Sequence, residues 1–229
     1  MGDINQLTLI QKFAEQLEGP FLEVGSKNYG STQDLRSHFL QKDKYVGVDT
    51  EEGPGVDILL DLTGEFAEID STLTNMRFGT IFCLSVLEHC THPFRAADNM
   101  TRLLKARGKI CLSVPFSWGF HGYPSDYWRF THQGVRLLFP KLEFDLDQGV
   151  AATSREKEFK SLDEDIGKIP FSFKSHMRNG YFLRGVSAKS LKLLSRIGIL
   201  SWLSGYGYVL APTMIFMIGK LPEKKNKSD

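Results

Sequence analysis

The residues best suited to chemistry recur at regular intervals along the first half of the chain. Gly25 closes the run FLEVG and opens a turn, Ser26-Lys27-Asn28-Tyr29-Gly30. A glycine there lets a ligand approach the backbone, and a helix after it would offer unpaired N–H groups. Asp49 ends YVGVD about one βα unit later, where a carboxylate can accept hydrogen bonds from both hydroxyls of a ribose. Asp61 and Leu62 in ILLDL set a carboxylate beside an apolar side chain, a pair suited to the amino group and ring face of an adenine. Ser85 opens the run SVLEH. Each residue alone has an ordinary reading, glycine as a turn and aspartate as a helix cap. Four such features at the ends of four successive runs are hard to assign to capping alone, and the ligand class they point to is a nucleoside.

A second set lies in Pro115–Thr131, which is dense in aromatic and polar-tipped side chains. Trp118, Tyr123, Tyr127 and Trp128 could wall an apolar pocket, while His121, Asp126 and Arg129 could orient an acceptor or take its proton. His121 is the first candidate for a general base, because imidazole titrates near neutrality. Asp126 and Arg129 also read as an ion pair that pins the loop around a small aromatic core. Glu88, His89, Cys90 and His92 bring metal-ligand types within five residues. Four donors on one strand-to-helix turn cannot all face one ion, so the expectation is a structural turn and no metal.

The elements that must position these residues alternate between short β-branched or aromatic runs and longer helical patterns, the rhythm of βαβ units and a mostly parallel sheet. Strands are expected at 21–25, 45–48, 56–60, 80–84 and 109–114, and helices at 32–40, 66–75 and 93–106, after a short amphipathic N-terminal helix. In an open parallel sheet, ligands bind outside the carboxyl ends of the strands. A helix over 131–138 and a strand over 142–146 follow. Residues 151–185 are polar and irregular, and 151–205 as a whole reads as a variable insertion that would serve as an acceptor lid. Within it, 187–203 is helical, with Lys189, Lys192 and Arg196 on one side and Leu191, Leu194, Ile197 and Leu203 largely opposite. Such a helix can lie on a membrane surface, but packing against the domain is the commoner use. The apolar run 206–218 reads as a buried strand region extending to 220, and 221–229 as a disordered tail.

The chain's 229 residues, 24% charged and 41% hydrophobic, fit one folded domain and exclude disorder or a collagen-like architecture. A net charge of +1 removes the electrostatic case for nucleic acid as a partner. Cys83, Cys90 and Cys111 form neither a disulfide framework nor a CxxC, and read as reduced cytoplasmic thiols. The N-terminus carries no secretion signal, and the longest apolar run is too short to span a bilayer.

Taken in order, FLEVG, YVGVD, DILLDL, FCLSVLEHCTHP and LLKARGKICLSVP resemble the class I S-adenosylmethionine-dependent methyltransferases over residues 18–140. The DYWRFT segment resembles one branch of the type 11-like group. The resemblance implies an α/β, Rossmann-like doubly wound, mostly parallel seven-stranded sheet with helices on both faces and a reversed last strand, met here by 213–219. It implies S-adenosyl-L-methionine as cofactor, with 18–140 as the cofactor-binding core of a single domain. Carried over by position, it assigns Glu23, Gly25 and Ser26 to the first motif, Asp49 to the ribose, Asp61 and Leu62 to the adenine side, and Ser85 to the loop after the fourth strand. Lys27 and Tyr29 stand where the family usually repeats glycine, so their side chains would narrow the crevice or contact the methionine moiety of the cofactor. The acceptor implied is a small or sugar-like molecule. Two other readings stay open: a non-catalytic scaffold that keeps the fold, and a peripheral membrane methyltransferase acting on a lipid-linked acceptor.

Overall fold

A computed structural model describes residues 4–30, 34–122, 124–147, 149–153, 159–162, 166–178, 180–199 and 208–223. Five parallel strands open the sheet: β1 (Phe21–Val24), β2 (Tyr45–Asp49), β3 (Ile58–Leu59), β4 (Phe78–Leu84) and β5 (Leu104–Ser117). The late strand β11 (Thr213–Lys220) lies antiparallel on β5, and β7 (Val150–Thr153) pairs antiparallel with β11. The order is thus β3-β2-β1-β4-β5-β11-β7, a seven-stranded frame with one reversed strand inside it. A two-residue strand β6 (Glu143–Phe144) also pairs with β11, and β8 (Phe159–Ser161) extends the edge beside β7. The chain has the expected Rossmann-like doubly wound α/β fold. From β1 it moves outward through β2 and β3, then returns to β4 on the other side of β1. That reversal opens a crevice at the carboxyl ends of β1 and β4.

Alternation along the strands sorts side chains into two cores. On one face Leu22, Val24, Val46, Val48, Ile81 and Leu112 pack against α3 (Phe66–Thr72), α4 (Pro93–Leu103) and α5 (His132–Leu138) through Ile69, Ala97, Met100 and Val135. On the other, Phe21, Tyr45, Phe82 and Phe216 pack against α1 (Ile4–Phe13) and the short α2 (Arg36–Phe39) through Leu9, Ile10 and Phe39. Phe82 stacks on Phe21 with ring centroids 6.0 Å apart.

Several boundaries differ from the sequence expectation for local reasons. The helix expected to Asn75 ends at Thr72, because Thr74 and Asn75 adopt positive φ. The helix expected to Ala106 ends at Leu103, where Leu104 is already extended and leads into β5. Of the helix expected at 32–40 only Arg36–Phe39 is helical, with 31–33 outside the described residues. Thr131 is the N-cap of α5, its hydroxyl accepting the Gly134 N–H at 3.0 Å. The expected strand 142–146 shrinks to β6.

The stretch read as irregular supplies β7 and β8 to the main sheet. It also supplies β9 (Lys168–Pro170), α6 (Phe173–Arg178) and α7 (Phe182–Arg196). α7 starts five residues before the expected helix and stops at Ile197, where Gly198 takes a φ of +88° and ends it. Leu203 lies outside the described residues, as does most of the expected tail. Within 206–220 only β11 is the returning strand; β10 (Tyr208–Leu210) pairs with β9 in a separate ladder. No helix of the described residues is long and apolar enough to cross a membrane.

Candidate functional site

A cavity of about 520 Å³ opens at the carboxyl ends of β1, β2 and β4, within the size range of small-molecule sites. Its first wall comes from the strand ends. Gly25 sits at a φ of +72°, where a Cβ would also lie 2.5 Å from Val86 Cγ2, so glycine is required for backbone shape and for space. Asp49 accepts the Lys27 N–H on Oδ2 at 3.0 Å and the Glu51 N–H on Oδ1 at 3.1 Å. Each oxygen keeps a lone pair for a ligand hydroxyl. Asp61 lines the same cavity, its Oδ1 accepting the Thr63 N–H and hydroxyl, both at 2.8 Å. Ser85, at a φ of +57°, accepts from Gln6 Nε2 at 2.8 Å, and Gln6 bridges on to Ser113.

Lys27 leaves the crevice rather than narrowing it. Its ammonium pairs with Glu51 at 2.6 Å and lies over the Tyr29 ring, 5.1 Å from the centroid. Tyr29 stands in the cavity wall, where it is partly exposed.

The second wall comes from the turn after β4 and the loop after β5: Glu88, His89, Cys90, Trp118, His121 and Pro124, with Met214 of β11. An ion pair between an enclosed carboxylate and a partly exposed guanidinium sets that loop. The Asp126 side chain is wholly enclosed and accepts from Arg129 Nη1 and Nη2 at 2.5 and 2.7 Å and from the His121 N–H at 2.9 Å. The guanidinium holds the carboxyl well below the usual carboxylate range. Arg129 in turn donates to the Trp118 and Gly119 carbonyls. The loop is tied to the preceding turn as well, since the Tyr127 N–H and the Trp128 indole donate to the Glu88 and Cys90 carbonyls at 2.8 Å.

These ties bring the His89 and His121 rings edge to face at 5.1 Å. His89 Nδ1 is 2.5 Å from the Ser125 carbonyl, and His121 Nδ1 is 3.1 Å from that of Gly119. A carbonyl can only accept, so each Nδ1 carries a proton, and in the neutral ring the lone pair is then on Nε2. Burial lowers the His89 pKa, which favours this neutral form. Glu88 is fully buried, with no hydrogen-bond partner among the described residues on either carboxylate oxygen, and burial pushes its pKa up to about 8. Burial also pushes the Cys90 thiol up to about 12, so it stays protonated.

Of the residues expected at the site, Gly25, Asp49, Asp61, Ser85, Trp118 and His121 line one cavity. Others do not. Glu23 shares the Phe21 face of β1, and its carboxylate accepts the Tyr45 hydroxyl at 2.8 Å, because strand alternation turns it away from the strand ends. Leu62 is buried in the core against α4, and its carbonyl accepts from Asn99. Ser26 is buried behind the turn. Asp126 and Arg129 act on the loop instead of facing the cavity. Tyr127 and Trp128 are exposed outside it, and Tyr123 lies outside the described residues. No described residue of 151–205 lines the cavity. The sequence reading missed Gln6, Glu51 and Met214. Glu51 follows Asp49 by two positions and could have been found; Gln6 and Met214 arrive from distant parts of the chain.

No family model matches the chain, and no curated protein matches it. Solved structures do. A putative methyltransferase from Bacillus halodurans is 14% identical with a TM-score of 0.54, over 95% of this chain and 98% of that one. The N-methyltransferase NodS from Bradyrhizobium japonicum, in complex with S-adenosyl-L-homocysteine, is 10% identical with a TM-score of 0.53, over 95% and 86%. The cyclase SpnF is 12% identical with a TM-score of 0.51, over 95% and 80%. At these identities the likeness establishes the fold.

Glu23 gives a pH test of the site's supporting wall. Burial raises its pKa from 4.5 to about 7, against the Tyr45 hydrogen bond and the charge of Arg36 and together with that of Asp34. An acid raised on folding stabilises fully below its ordinary value, and that contribution is lost as pH rises through the native value. Between pH ~4.5 and ~8, urea unfolding should show the wild type losing about 1–2 kcal/mol that Glu23→Gln retains. Parallel pH profiles for the two proteins would show that Glu23 ionises without penalty.

Proposed function

We propose that this protein is an S-adenosylmethionine-dependent methyltransferase that methylates a small-molecule or sugar-like acceptor in the cytoplasm. The observation that carries the reading is the meeting, in one cavity, of Gly25, Asp49, Asp61 and Ser85 from the strand ends with Trp118 and His121 from the loop after β5. The residues present fit the cofactor. Asp49 has lone pairs left for ribose hydroxyls, Asp61 can accept from the adenine amino group, and Gly25 leaves room against the backbone. Asp49 and Asp61 give this wall a negative field that favours a cationic ligand, the charge of Glu51 being met by Lys27. The bound cofactor supplies an electrophilic methyl group on a sulfonium centre. The chain's own contribution is to hold that ligand beside the acceptor, exclude water and receive a proton. His121 Nε2 is the proton acceptor in this reading. The DYWRFT segment supplies the loop's ion pair, which supports placing the chain near the type 11-like branch. Free Cys83, Cys90 and Cys111 agree with a reducing compartment.

A second reading, peripheral attachment to a membrane that carries a lipid-linked acceptor, is favoured by α7. Its buried positions are small, Gly185, Ala188 and Ser195, whereas Phe182, Leu183, Val186 and Leu193 are exposed, Leu183 at 78%. Of the expected apolar side, Leu191 and Leu194 are partly buried and Ile197 is exposed, so the helix packs on that side and leaves a second apolar set uncovered. Exposed apolar side chains beside Lys189, Lys192 and Arg196 suit an anionic lipid surface.

Three measurements separate these readings. Calorimetric titration of S-adenosylhomocysteine should give micromolar binding that Asp49→Ala weakens by at least about tenfold, the loss of roughly one to two hydrogen bonds to a charged group; no binding by the wild type rejects the cofactor. His121→Ala should abolish turnover in an acceptor screen while S-adenosylhomocysteine affinity holds, and unchanged turnover removes His121 from the reaction. In co-sedimentation with phosphatidylserine vesicles, Lys192→Glu/Arg196→Glu should bind at least about tenfold more weakly than wild type. Equal recovery of both proteins, or of neither, sinks the membrane reading.

A further inference from the structure

Glu88, His89 and His121 each present a ligand atom, and these atoms lie within 4.8 Å of one another in the cavity wall. Glu88 Oε1 and His89 Nε2 are 4.0 Å apart. Metal–ligand bonds of about 2.0–2.2 Å set ligand atoms roughly 3–4 Å from each other, so side-chain rotation is enough to close the cluster. The sequence reading excluded an ion because four donors on one turn cannot converge. That argument holds for Cys90, a neutral thiol directed at the Val86 carbonyl, and for His92, whose Nδ1 lies against Thr91. It fails for the cluster because the third donor comes from the loop after β5.

Two independent features make the cluster a prepared site. Both imidazoles have Nδ1 engaged by a carbonyl, which leaves Nε2 as the nitrogen free for a ligand, and Asp126 Oδ2 stands 3.3 Å from His121 Nδ1 as a supporting carboxylate. Metal-bound histidines are oriented by this kind of outer partner. Glu88, in turn, is a fully buried carboxylate with neither oxygen hydrogen-bonded among the described residues. A buried carboxyl in that condition is costly unless a proton or a cation settles it.

We propose that Glu88, His89 and His121 bind one divalent first-row transition-metal ion, of the Zn2+, Fe2+ or Co2+ class. Two imidazoles and one carboxylate match the borderline donor preference of these ions, and three protein ligands leave coordination positions open to the cavity. The consequence for substrate class rests on the methyltransferase reading. An acceptor offering a hydroxyl, as a phenol, enol or vicinal diol does, would occupy an open position, and the ion would acidify that hydroxyl. With the ion bound, the Nε2 lone pairs hold metal, so the proton of the acidified hydroxyl passes to solvent and the resulting metal-held oxyanion takes the methyl group without His121 as a free base.

The test needs no substrate. Co2+ titrated into the purified full chain should produce visible d–d absorption that saturates at one equivalent and is displaced by Zn2+. His121→Ala and the nearly isosteric Glu88→Gln, each checked for folding by circular dichroism, should weaken Co2+ binding by at least about tenfold. His38→Ala, at an exposed histidine outside the cavity, should match wild type. No saturable spectrum in the wild type, or an undiminished one in either site variant, overturns the proposal. S-adenosylhomocysteine calorimetry on the same preparations tests the methyltransferase reading separately, since its failure leaves a positive Co2+ result standing.

Discussion

Burial of β1, β2, β4 and β5 on both faces is the constraint from which the rest of the molecule follows. A strand enclosed on two sides can carry almost no polar side chain along its length, so the polar chemistry is displaced to strand ends, where the chain leaves the sheet. Asp49, Asp61 and Ser85 all stand at such exits. Glu23 tests the rule from within. It is the one acid inside β1, it takes a hydrogen bond from Tyr45, and it is still pushed up to about 7 by the surrounding core.

The second wall obeys a different constraint, because no ladder holds the loop after β5. Asp126 takes that role. Its enclosed carboxylate receives three N–H donors, and Arg129 carries the tie on to Trp118 and Gly119, so the loop folds around a charge pair instead of around apolar contacts. Removing Arg129 would leave the enclosed carboxylate without its counter-ion, which makes the pair a device for specifying one conformation. The conformation specified here brings His121 to His89.

The sheet was legible in the sequence because its physics is local: doubly buried strands read as apolar runs, and strand exits read as Gly or Asp. The same locality explains Asp49 and Asp61. Glu23 and Leu62 lie off the cavity because a motif records position along the chain, whereas the side a residue faces is set by strand parity for Glu23 and by the packing of the turn after β3 on α4 for Leu62. Gln6 and Met214 carried no local signal, being brought in by packing of α1 and by the antiparallel register of β11 on β5. The pairing of β7 and β8 was hidden for a related reason, since short polar strands at a sheet edge lack the apolar run that announces a central one.

The division into two walls also locates what can vary. The fold is shared with proteins whose names give different reactions, a methyltransferase and a cyclase among them, so the sheet and its strand exits cannot by themselves decide the chemistry. What they do fix is the place where a ligand is held. The reaction must then be set by groups the sheet leaves free, and here those are concentrated on the turn after β4 and the loop that closes on it. A buried carboxyl with no hydrogen bond among the described residues, beside two imidazoles in edge-to-face contact, is costly to maintain for folding alone, and that cost is the physical reason to place the proposed ion on this wall.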